Sequence, residues 1–394
     1  MCSAQRGDKI PKFVADPGNQ PQACADGRTF SDGAVALVDR NLRMAESFRA
    51  SLGVDKRLPW NLDASVDALF SRVHSDFMFV NVNLRGPQGM DSHGRVMYGT
   101  ILRNGTVDPS LASGRFPEAI DLRNHSLGYS WAFTAQLNRS FFDRLGLQAA
   151  YTHTRSRDLQ SLTNTSAVAP LDIWASGRPL SGRHDDLSTG VSAFEIPHRV
   201  VLAATYAAPW KRWTTDLSIY YIGESGTPFT YGDSSAATRG DLNADGTNVN
   251  DPIYVPRNGT DPSEIMLGIP AQGEALENFI RDTPCLRRQR GAIIARNSCR
   301  GPWVNTSNAS LRQSLRAIGE HDLSLQLEVF NVLNLLNSSW GLFRVPNTVL
   351  LQHVRQTSDA SPQPVFAFDA ETAGSNTRNV ESGYQLQLSL RYSF

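Results

Sequence analysis

Asp241, Asn243, Asp245 and Gly246 lie in the run DLNADG, which places oxygen-bearing side chains at every second residue. That spacing wraps a hard cation, and the glycine permits the sharp turn such a loop makes. The run matches the first half of a calcium loop. Its second half departs: position 12 is Pro252, and the nearest carboxylate, Asp251, stands one residue early. A complete EF-hand is therefore excluded, and no flanking helices are indicated. Two readings stay open: a calcium-stabilised loop with Asp241, Asn243, Asp245 and Asp251 as ligands, or a loop of Asx turns whose side chains bond their own backbone.

The four cysteines, Cys2, Cys24, Cys285 and Cys299, contain no CxxC pair, which argues against structural zinc and thioredoxin-like chemistry. The stretch CLRRQRGAIIARNSC closes a loop short enough for a Cys285–Cys299 disulfide. Cys2 and Cys24 are the second candidate pair. Reduced thiols are the alternative for both, and an extracytoplasmic setting favours the bonded form. His184, with Asp185 and Asp186 in RHDD, has the residue types of a metal or acid–base site. It has no second half in the sequence and is read as part of a solvated loop. SGRPLSG and WGLF lack the strand–helix context of a phosphate loop, and no GxSxG elbow is present. The chain is expected not to be an enzyme and to require no cofactor, calcium in the 241–251 loop being the one open candidate.

The 394 residues carry 38 basic and 38 acidic side chains, a balance that gives no support for nucleic-acid binding. No run approaches the roughly 20 apolar residues of a spanning helix. The opening MCSAQRGDKIPKF lacks the apolar core of a secretory signal; it reads either as a cytoplasmic start or as one whose true beginning lies upstream.

Helical periodicity is poor, whereas alternation at period 2 recurs. Phe48, Ala50, Leu52 and Val54 share one face of their segment, as do Leu62, Ala64, Val66, Ala68 and Phe70. The pattern returns at 127–137, 145–152, 199–206, 215–222, 322–329 and 384–394, and more weakly at 303–316. These make about nine strands of the length that a tilted membrane-crossing strand needs. Gln385, Gln387, Arg391, Asp322, Gln326 and Glu328 would then face a lumen, against a plug or water.

The connections alternate strictly. RLPWN (57–61), SFFDR (140–144), PWKRW (209–213) and AIGEH (317–321) are short. The segments at roughly 80–124, 158–196, 227–302 and 336–380 are long and polar. A transmembrane β-barrel has this pattern, with short periplasmic turns and long extracellular loops. Trp60, Phe141, Phe142, Trp210 and Trp213 cluster at the short turns, and Tyr392 and Phe394 close the last strand, as an aromatic girdle requires. The expected fold is all-β: an antiparallel transmembrane β-barrel, partial, with about nine strands and long extracellular loops.

The C-terminal strand ending in Phe394 resembles the terminus read by the barrel-assembly machinery, with Tyr392 and Phe394 as its signal. HDLSLQLEVFNVLNLLNSSWG (321–341) is similar to the penultimate barrel strand of TonB-dependent receptors. RGDLNADGTNVNDPIYVPRN (239–258), QRGAIIARNSCRGPWVNTSN (289–308) and SLGVDKRLPWNLDASVDALFSR (51–72) resemble the Oar-like branch of that family. The resemblance implies TonB-driven uptake of a ligand across the outer membrane of a Gram-negative bacterium. Lipid, the assembly machinery and the TonB complex would be the partners. It also implies departures, because such receptors close 22 strands around an N-terminal plug. No plug-like segment, TonB box or signal peptide is found in 1–394, so the chain is expected to be the C-terminal barrel portion, inactive alone. The alternative is a soluble, secreted all-β binding module with disulfide- and calcium-stabilised loops.

Overall fold

The computed structural model describes residues 33–163, 174, 178–179, 181–210, 213–233, 240–316, 322–357, 363–378 and 382–393. Nine long strands form its framework: β1 (Glu46–Leu58), β2 (Leu62–Asn81), β3 (Gly128–Phe141), β4 (Leu145–Asp158), β5 (His198–Pro209), β6 (Thr214–Glu224), β7 (Val304–Arg316), β8 (Asp322–Phe330) and β9 (Gln385–Ser393). Each pairs antiparallel with the next in chain order. Residues Ala119–His125 continue the pairing of β3 along the upper part of β2, and Val35–Val38 add a parallel strand beside them. Among the described residues β1 pairs only with β2 and β9 only with β8, so the sheet is not closed.

Register explains why alternation in nine separate segments matters. Directly opposed residues of an antiparallel pair point to the same face, and a one-residue slip would reverse every side chain. Here Phe141, Leu145, Tyr206, Leu217, Leu311, Leu327 and Leu388 stand opposite one another in one row across seven strands. The adjacent row on the other face is Ser140, Gly146, Thr205, Ser218, Ser310, Glu328 and Gln387. One face is continuously apolar and the other polar. The apolar face is bare: Leu52, Leu388 and Leu390 keep about seven-tenths of their surface exposed. A contiguous apolar surface over nine strands is far larger than a water-soluble monomer presents, but it is what a sheet facing lipid requires.

Tight turns join the strands at one end. Trp60 and Asn61 have φ of 65° and 55°, and Phe142 and Asp143 have 52° and 56°. Consecutive left-handed residues suit hairpins between right-twisted strands, and Asn and Asp tolerate that region. Trp60, Phe142, Trp210 and Trp213 project from this end, exposed, as girdle residues at a membrane surface do.

At the opposite end the long polar segments carry a folded structure of their own. The segments after β6 and after β8 fold together into a cap with a shared buried core. It gathers Phe229, Tyr231, Ile253, Val255, Leu276, Ile280, Leu286, Ile294, Leu351 and Phe368. A four-stranded sheet joins the two segments, with Gly232–Asp233, Val349–Gln356, Pro364–Ala367 and Met266–Leu267 in that order. Helices are also present despite the weak periodicity. In α1 (Gln272–Asp282), Leu276 and Ile280 are one turn apart and fully buried. The helix stops at Thr283 because Pro284 follows and disfavours the helical conformation before it.

Asn331 and Gly341 account for part of the FNVLNLLN…WG stretch. Asn331, in the left-handed region, precedes the short helix α2 (Val332–Leu336). Its amide donates to the carbonyls of Gly341 (2.9 Å) and Ser382 (2.7 Å), tying the loop back onto the start of β9. A Cβ on Gly341 would lie 2.1 Å from Asn331 Oδ1, and its φ is +61°, so glycine alone fits there.

Candidate functional site: the acidic loop and the cap cavity

The DLNADG run is buried in the cap. Asp241, Asn243, Asp245, Asn250 and Asp251 are each at most 4 % exposed. The loop turns through Ala244 (φ 56°) and Gly246 (φ 99°). Asp241 accepts from the backbone N–H of Asp245 (3.2 Å) and of Gly246 (2.7 Å). Asn243 Oδ1 accepts from Asp245 N–H (2.9 Å), and Asp245 Oδ1 accepts from Thr247 N–H (3.0 Å). Asp245 Oδ2 is approached by the amides of Asn243 (3.1 Å) and Asn250 (2.9 Å).

Two distant segments converge on this loop. His184 Nε2 lies 3.0 Å from Asp245 Oδ2, across 61 residues of sequence. The His184 ring packs against Tyr98 and Trp174. The RHDD motif is thus not simply solvated: His184 points into the cap, while Asp185 stays exposed and pairs with Arg183 at 2.6 Å. Arg95, almost fully buried, donates to Pro252 O (2.6 Å) and reaches Asp251 Oδ1 at 3.4 Å. Sequence reading missed Arg95 and Asn250. Asn250 lies within the same NVND stretch as Asp251, but nothing local marks Arg95.

Burial, and then the Asp245 charge, raises the Asp241 carboxyl to about 7. Burial raises Asp251 well above the carboxylate range; Arg95 opposes this, and Asp241 and Asp245 reinforce it. Charged carboxylates in a low-dielectric interior are costly unless paired. Among the described residues no three His, Cys, Asp or Glu side chains form a group that could hold a metal ion.

Beside the loop lies a cavity of about 530 Å³. Its walls include Met90, Met97, Met266 and Phe366, with His93, Arg95 and Glu264 as polar members. His93 stacks on Tyr254 at 3.8 Å. The Tyr254 hydroxyl, then the Arg257 N–H and guanidinium, hold Glu264 down to about 2. An apolar hollow with a few convergent polar groups is the usual form of a small-ligand site.

Cys285 and Cys299 are joined in a disulfide, with 5.3 Å between their Cα atoms. Cys299 is buried in the cap core. The flanking Arg296 and Arg300 pair with Asp158 at the end of β4 and with Glu195, fixing the cap to the barrel rim. A Cys285→Ser/Cys299→Ser variant is expected to lower cap stability by about 3 kcal/mol, the chain-entropy value for a loop of this size. Denaturant titration of cap-specific proteolysis would measure it, and unchanged resistance would contradict it. Cys2, Cys24 and Phe394 lie outside the described residues. Tyr392 is on the apolar face, exposed, opposite Leu323.

A membrane-facing antiparallel meander, with tight aromatic turns at one end and a folded cap at the other, defines an outer-membrane β-barrel protein. The chain belongs to the outer membrane beta barrel domain family, whose model matches residues 4–387. Its location is accordingly the outer membrane of Gram-negative bacteria. That location overturns both the cytoplasmic reading of the N-terminus and the soluble secreted module. No curated protein matches the chain.

Proposed function

We propose that this chain supplies the wall and extracellular cap of a TonB-dependent receptor of the Oar-like branch, and that it takes up a scarce ligand across the outer membrane. The observation that carries the reading is the cap: two long segments, after β6 and after β8, share one core and border a ligand-sized cavity. A passive pore gains nothing from such a structure, whereas a receptor needs a preformed capture surface. The segments quoted from 51–72, 239–258, 289–308 and 321–341 support the particular branch. On this reading the cap binds the ligand, a plug gates it, and the barrel-assembly machinery reads the end of β9. The polar face of the sheet packs against plug or water. No group in the site performs covalent chemistry on the ligand.

The test compares accumulation of labelled ferric siderophores, oligosaccharides and peptides in cells producing the full reading frame that contains this chain, with and without functional TonB. At least one probe is expected to accumulate only when TonB is present. Entry that is independent of TonB, as through a porin, would sink the proposal.

A further inference from the structure

We propose that the lipid face of β1–β4 binds the lipid A part of lipopolysaccharide. Arg72, Arg155 and Arg157 take its phosphates, and the groove below them takes an acyl chain.

Register brings these residues together. Arg72 of β2 lies opposite Phe48 of β1 and Tyr129 of β3, and Tyr129 lies opposite Arg157 of β4. One rung nearer the tight turns, the row on the same face is Ala50, Phe70, Trp131 and Arg155. Arg72 and Arg157 are thus two strand spacings apart, about 10 Å, and Arg155 is about 7 Å along the strand from Arg157. All three belong to the apolar face that carries Leu52, Phe133 and Leu137.

Height places the cluster at the outer surface of the membrane. On this face of the four strands, lysine and arginine occur only at the two edges. Lys56 and Arg139 lie toward the tight turns, and the three arginines lie toward the cap. Tyr129 and Arg139 are ten positions apart on β3. At ~3.4 Å per residue and a tilt of ~40°, that separation is about 26 Å of height. The apolar band of an outer-membrane barrel is about 25 Å tall. Arg139, 4.1 Å from the ring centre of Phe141, marks the periplasmic edge of that band. Arg72 and Arg157 therefore stand among the headgroups of the outer leaflet, which in Gram-negative bacteria are the phosphorylated sugars of lipopolysaccharide.

The arginines are also unspent. Arg72 and Arg155 are exposed and make no hydrogen bond or ion pair among the described residues. Arg157 donates one N–H to the carbonyl of Thr189 (3.1 Å), which steadies its side chain. Asp55, Asp63 and Asp67 of the same strands sit on the opposite, polar face. A guanidinium grips phosphate through two parallel N–H bonds, so this cluster suits a phosphorylated headgroup.

Beneath it runs an apolar groove of about 520 Å³, where Ala50 and Ala68 leave room between Leu52, Phe70, Trp131 and Phe133. A methylene chain laid there gains close contacts along its length. Arginines above and a groove below give the site both a head and a tail, which a bare basic patch lacks. The proposal is independent of TonB-dependent uptake.

The test uses protein made from the full reading frame, extracted in mild detergent, freed of bound lipid and titrated under native mass spectrometry. The probes are lipid A, phosphatidylglycerol and inorganic phosphate. Lipid A is expected to bind about tenfold more tightly than phosphatidylglycerol, and the Arg72→Gln/Arg155→Gln variant to lose about tenfold in lipid A affinity. Arg49→Gln, on the polar face opposite Ser71, should leave binding unchanged. Equal affinity of the wild type for the two lipids would show a rim open to any anionic lipid and overturns the proposal. Displacement of lipid A by millimolar inorganic phosphate overturns it too, as does undiminished binding in the double variant. The wild-type comparison decides the matter even if a variant fails to fold.

Discussion

Ile219→Arg is expected to keep most of the protein out of the outer membrane, whereas Ser218→Arg, one residue away, is expected to be tolerated. Ile219 lies midway along β6 on the apolar face, directly opposite Ala204 of β5 and Ala309 of β7. Ser218 belongs to the polar row with Thr205 and Ser310. An arginine at the lipid midplane costs about 2–4 kcal/mol, while substitutions facing the lumen have little effect on assembly. The ratio of heat-modifiable, protease-resistant protein in the membrane fraction measures the difference. Equal losses for the two variants would show that the sheet does not present one face to lipid.

Ile280→Ala is expected to have its large effect elsewhere. Ile280 has no exposed surface and packs in the cap with Leu276 and Leu286. Truncating a fully buried isoleucine costs about 2–5 kcal/mol, part of it for the cavity left behind. The cap lies outside the lipid-facing sheet, so assembly in the membrane should proceed while the cap loosens. Hydrogen exchange across 253–294 should accelerate, and external protease should cut there. Loss of membrane-assembled protein instead would mean that cap and sheet fold as one cooperative unit.

The strands were legible because each declares itself locally. A period-2 alternation needs only 8 to 11 consecutive residues, and all nine segments read in this way became β1 to β9. Tight turns were legible for the same reason. The cap was not, because its core is assembled from residues far apart in the chain, such as Met266 and Leu267 beside Val365 and Phe366. The α1 helix did carry a signal in Leu276, Phe279 and Ile280, but its three turns are too few to stand out. The acidic loop was readable as a motif, whereas its partners were not. No local pattern foretells that His184 meets Asp245 or that Arg95 meets Asp251. Of the two readings left open for the DLNADG run, the structure displays the Asx-turn geometry, in which its side chains bond their own backbone.

The pairing of the strands has a consequence for chain entropy. The excursion between β6 and β7 leaves at Glu224 and returns at Val304, which are directly paired. The one between β8 and β9 leaves at Phe330 and returns at Gln385, also directly paired. Each cap segment is therefore a closed loop whose ends are held one strand spacing apart, about 4.8 Å. For roughly 80 residues, a permanent tether of that kind removes about 4–5 kcal/mol of conformational freedom from the disordered alternative, as a disulfide of equal span would. The membrane sheet thus acts on the cap as a covalent clasp does on a small secreted domain. The cap owes part of its order to a hydrogen-bonded seam it does not contain, and cut free of the strands the same residues would lose that contribution.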